Sequence, residues 1–74
     1  MRKSATGRST YETTGLVLIT LLRQPDTHTV PTLAQKIGEG EGRVRLALKG
    51  LTASGWTIER AGGPRGVLRV RWPG

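Results

Sequence analysis

A chain of 74 residues has room for one domain and one core, and a domain this short buries only a modest share of its surface. With no cysteine, one histidine and five carboxylates, it excludes disulfides and thiolate metal sites and leaves any metal centre short of ligands. Twelve Lys and Arg against five Asp and Glu give +7 at pH 7, a balance that implies an acidic partner such as nucleic acid or anionic lipid.

The charge is unevenly spread. Between residues 42 and 74 the cations are Arg43, Arg45, Lys49, Arg60, Arg65, Arg69 and Arg71; set against the single acid Glu59, these seven leave +6. The longest apolar run, 16–22, contains Thr20 and falls well below the roughly 20 residues that cross a bilayer. No apolar segment adjoins Met1-Arg2-Lys3, so no secretory signal is expected, and a soluble, cytoplasmic and nucleoid-associated protein is.

Residues 1–8 hold Ser, Thr, Gly and the cations Arg2, Lys3 and Arg8, with almost nothing to bury, and are expected to form a basic arm ahead of a domain over 9–74. Ser9 followed by Glu12 fits a capping box, and the apolar-rich run 11–22 then continues until Pro25, which a helix interior would not tolerate. Tyr11, Gly15, Leu18 and Leu22 fall on one stripe of this helix, while Leu16, Val17, Ile19 and Leu21 spread apolar character around the cylinder. The excess suggests a homodimer paired through Leu16, Val17 and Leu21. Residues 24–28 read as a polar loop. Thr29 can cap a short helix over about 30–37, with Pro31 in its first turn and Leu33, Ala34 and Ile37 buried. Gly38-Glu39-Gly40-Glu41-Gly42 suits a sharp turn with positive φ.

From about 41 to 54 the spacing of Val44, Ala47, Leu48 and Leu51 is that of an amphipathic helix, closed by Gly55. Its opposite face carries Gly42, Arg45, Leu46, Lys49 and Ala53. Residues 56–60 alternate in character, Gly62-Gly63-Pro64-Arg65-Gly66 demands a turn, and 67–72 alternate again, which predicts a hairpin. Alternation sets Leu68, Val70 and Trp72 on a core-closing face and Val67, Arg69 and Arg71 on the other.

The predicted class is therefore α+β, three helices followed by a two-stranded hairpin. Leu33-Ala34-Gln35-Lys36-Ile37-Gly38, then Val44-Arg45-Leu46-Ala47-Leu48-Lys49-Gly50-Leu51, then Gly55-Trp56, resemble the winged helix-turn-helix superfamily of transcriptional regulators, over about residues 11–72. The resemblance implies that the third helix, about 41–54, enters the major groove of double-stranded DNA, with the hairpin, about 60–69, as a wing on the minor groove or backbone. Sequence-specific binding by a small regulator, such as a repressor or a phage or plasmid control protein, is the expected function. Arg45 is the best candidate for a bidentate contact to guanine, because a planar guanidinium matches its two acceptors. Lys49 suits a phosphate. Arg43, at the flank of the helix start, reaches a base or a phosphate, and Gly42 lets backbone N–H groups approach a phosphate. Leu46, Arg60, Arg65, Arg69 and Arg71 complete the candidate surface, and five to seven neutralised phosphates correspond to a log–log salt slope of roughly −4.5 to −6.

Gly40-Glu41-Gly42 departs from the family pattern, in which Ser or Thr often caps the recognition helix. Two other readings stay open, a winged-helix module that binds an acidic protein and a non-specific or architectural nucleic-acid binder. No catalytic constellation is present: His28 has only Asp26 as an acidic neighbour, and no Gly-rich phosphate loop precedes a lysine. No enzymatic activity, cofactor, metal or small-molecule ligand is expected.

Overall fold

Ser9 begins the first helix by the device its spacing from Glu12 anticipates. The Glu12 N–H donates to Ser9 Oγ at 3.2 Å and the Ser9 N–H to Glu12 Oε1 at 2.8 Å, satisfying two donors that the helix start would otherwise leave without partners. The computed structural model describes residues 9–63 and 65–72, and the proposed arm over residues 1–8 lies outside them. Its elements are α1 (Thr10–Arg23), α2 (Val30–Ile37), α3 (Glu41–Ala53), β1 (Thr57–Ala61) and β2 (Val67–Arg71), the two strands forming one antiparallel hairpin. The α+β layout is the one the sequence predicts. No helix among the described residues is long and apolar enough to cross a membrane.

A second capping box starts α2. Thr29 Oγ1 accepts from the Thr32 N–H and Thr32 Oγ1 from the Thr29 N–H, with Pro31 just inside the helix, where no intrahelical donor is lost. Gly38 ends α2 in the left-handed region at φ 76°, and it alone supplies the positive φ expected of the 38–42 connector. Gly40 is extended and caps α3, while Gly42 lies inside that helix. At the far end, Gly55 at φ 109° reverses the chain, and the Trp56 N–H donates to the Leu51 carbonyl at 3.0 Å.

The core is one cluster drawn from every layer. Val17 and Leu21 of α1, Leu33 of α2, Val44 of α3 and Leu68 of β2 are completely buried, with Ala47, Leu48, Leu51 and Val70 close behind. Each such aliphatic side chain contributes about 1.5–3 kcal/mol by leaving water. The hairpin register pairs Ile58 with Val70 and Arg60 with Leu68. On the free edge of β2, the Leu68 N–H donates to the His28 carbonyl at 2.8 Å and the Asp26 N–H to the Leu68 carbonyl at 3.1 Å. The loop expected to be merely polar thus holds β2 from its outer side, through the N–H and C=O of Leu68, which both point away from β1.

The structure corrects the expected pairing face of the first helix. Val17 and Leu21 have no exposed surface, so those two side chains offer nothing to a second copy, while Leu16 is half-buried against the core. The inward stripe of α1 is Thr13, Val17 and Leu21, at spacing i, i+4, i+8. A threonine at its head disguises the stripe, but the Thr13 hydroxyl is satisfied at once by the Ser9 carbonyl at 3.2 Å. The large apolar side chains that α1 leaves exposed are Tyr11, Ile19 and Leu22.

Trp72 is a second correction. It does not close the core but remains 67 % exposed, standing edge-on to the half-buried Trp56 with ring centroids 4.6 Å apart.

Candidate functional site

Helical geometry at about 100° per residue separates α3 into an inner face of Val44, Ala47, Leu48 and Leu51, all buried, and an outer face of Gly42, Arg45, Leu46, Lys49 and Ala53, all exposed. β1 runs alongside that outer face. An open groove of about 1020 Å³ lies between them, with Arg45, Leu46 and Lys49 on the helix side and Ile58 and Arg60 on the strand side, and among the described residues no acidic side chain lines it. Arg60 reaches it because alternation places it on the same face of β1 as Ile58, the face turned toward the helices.

A second depression, of about 480 Å³, continues the cationic surface toward the turn of the hairpin. Arg45, Arg60 and Arg65 line it together with Glu41 and the start of α2 at Thr29, Val30 and Pro31. Three guanidinium groups from a helix, a strand and a turn therefore share one concavity. The acid on its rim is already engaged, since Arg45 Nη2 donates to Glu41 Oε1 at 3.1 Å. That pair is exposed, Arg45 at 61 % of its side chain, and an exposed i,i+4 pair is worth only about 0.3–0.5 kcal/mol, so another acceptor can displace it. Glu41 also sits in the first turn of α3, where the helix dipole favours a negative charge. Gly40 has no side chain to cap that helix, which suits an anion near the Gly42 backbone.

Not every expected residue joins this surface. Arg43 lies two positions, or about 200°, before Arg45 on the helix and so turns toward α1. Its Nη2 donates to Thr13 Oγ1 at 3.2 Å, and its Nε lies 3.1 Å from Glu39 Oε1. Thr13 is 1 % exposed and the Glu39 side chain 2 %. Arg43 is therefore a strut between α1 and the start of α3. Its replacement by alanine is expected to cost about 1–3 kcal/mol by removing the hydrogen bond to Thr13 and the positive charge beside the buried Glu39 carboxylate, read as a lower urea midpoint with unchanged m. The folded fraction should hold acidic ligands as the parent does; a parental midpoint with weakened binding would reverse this assignment.

Arg69 and Arg71 also lie elsewhere. The register sets Arg69 opposite Glu59 and Arg71 opposite Thr57, on the face of the hairpin turned away from the groove. Arg71 Nη1 donates to Glu59 Oε2 at 3.1 Å, and Arg69 Nη2 donates to Asp26 Oδ2. The hydrogen bond to Asp26, then the charge of that carboxylate, raise Arg69 above its ordinary pKa, so it stays a cation held in a local pair.

Thus the structure gathers Gly42, Arg45, Leu46, Lys49, Arg60 and Arg65 and sets Arg43, Arg69 and Arg71 apart. Sequence reasoning missed Ile58 as the apolar wall of the groove, although its register with the core residue Val70 was the signal available. Among the described residues no group of three or more His, Cys, Asp and Glu side chains is placed to hold a metal. No protein-family model matches the chain, and neither a curated protein nor a solved structure does.

Proposed function

We propose that the protein is a winged helix-turn-helix regulator that binds double-stranded DNA sequence-specifically, with α3 in the major groove and the β1–β2 hairpin as the wing. The observation that carries this reading is the meeting of Arg45, Arg60 and Arg65 in one concavity beside the exposed face of α3. A polyanion of regular shape satisfies such an arrangement better than a point ligand, because the cations span a helix, a strand and a turn rather than converging on one atom. Arg45 offers a planar, two-pronged donor to guanine, and Lys49, Arg60 and Arg65 neutralise phosphates on either side.

Selection of bound duplexes from a random pool, followed by affinity measured against salt, tests the proposal. Three phosphate-neutralising cations, Lys49, Arg60 and Arg65, predict a log–log slope of about −2.7, shallower than a count of every C-terminal arginine gives. A selected duplex should also outcompete random duplex by at least about 10³. Equal binding to both would leave only non-specific attraction, and a slope shallower than about −2 would point to an acidic protein as the partner.

A further inference from the structure

Of the six apolar positions of α3, Val44, Ala47, Leu48 and Leu51 are at most 4 % exposed, whereas Ala53 and Leu46 lie on the exposed face, Leu46 57 % exposed at its margin toward α1. Resting on the duplex-binding reading above, we infer that Leu46 is a specificity residue that packs on the C5-methyl group of a thymine in the major groove.

Three observations lead there. Leu46 stands between Gly42 and Gly50, one turn to either side, and neither glycine has any atom within 4 Å of where a Cβ would be. It therefore projects from a locally bare helix surface, over which base edges can approach closely. Arg45 and Lys49 share its outer face, while on the side toward α1 it lines a small depression with Thr10, Thr13 and Arg43, so an occupant of the outer face must be anionic overall yet offer an apolar group to the leucine. Thymine meets both conditions, because its methyl is the one apolar group that the four base pairs display in the major groove. The same contact separates thymine from uracil, which lacks that methyl.

The test uses a duplex that the parent protein already holds tightly. Each thymine is replaced in turn by deoxyuridine, which keeps base pairing and removes only the methyl, and each duplex is titrated with the parent and with Leu46→Ala. The expected result is a thymine whose demethylation weakens the parent roughly fourfold, the worth of one buried methyl, and leaves the variant unaffected. Thermal unfolding of Leu46→Ala should match or exceed that of the parent, since alanine is the better helix former at an exposed site. If the parent holds its duplex and no thymine distinguishes the two proteins, the inference about Leu46 is overturned while duplex binding stands. If the parent holds no duplex, both fall.

Discussion

Gly66→Ala is expected to lower the thermal midpoint by roughly 10 °C, because overpacking costs of about 1–3 kcal/mol fall on a small domain in which each kcal/mol is worth about 4–8 °C. A Cβ built on Gly66 would stand 1.5 Å from the Ala61 carbonyl oxygen and 2.5 Å from its carbon. Those are backbone atoms at the end of β1, and Ala61 is fixed by its pairing with Val67. The strands must separate to admit the methyl, which loosens Leu68 and Val70 in the core and moves Arg60 and Arg65 apart. Duplex affinity should fall with stability. Gly50→Ala makes the control: a methyl there meets nothing within 4 Å, and in the middle of α3 it should stabilise the fold by about 0.5–1 kcal/mol. Circular dichroism melts of the two variants decide the matter, and a Gly66→Ala midpoint at the parental value would refute the clash.

The contrast between these glycines marks what a sequence discloses. Caps and periods are local, so Ser9, Thr29, the α3 repeat and the turn at Gly55 are legible, and the bounds of α2 emerge as predicted. Glycine is different: a bare letter does not separate Gly66, which a neighbouring strand forbids to change, from Gly50, which faces open space. The buried stripe of α1 was obscured for a related reason. Thr13 counts as polar in any hydropathy pattern, and only the Ser9 carbonyl and the Arg43 guanidinium in space make it an interior residue.

In the candidate site, residues on one element were readable and relations between elements were not. Arg45, Leu46 and Lys49 follow from the angular spacing of α3 alone. The roles of Arg43 and Glu39 depend on how α1 crosses the beginning of α3, which no local spacing encodes. Arg69 and Arg71 were placed by alternation on the face opposite Leu68, yet only the docked hairpin reveals that this face meets Asp26 and Glu59 and points away from α3. Net charge counted these arginines as equivalent, whereas geometry divides them.

That division yields the sharpest prediction for binding. The double variants Arg45→Ala/Arg60→Ala and Arg69→Ala/Arg71→Ala each remove two positive charges, so a partner drawn only by the overall field should weaken equally toward both. A partner seated in the groove should discriminate. At about 1–3 kcal/mol for each contact, the first variant is expected to lose roughly 100-fold in duplex affinity, with the salt slope about 0.9 less steep through the loss of the Arg60 phosphate contact. The second should change by less than about threefold, because its arginines are spent on exposed local pairs worth little to the fold or the ligand. Neither variant removes a buried side chain, so both should melt near the parent and the affinities remain comparable. Equal losses from the two would show that charge attracts the polyanion without a defined face, and would remove Arg45 and Arg60 from the proposed contact.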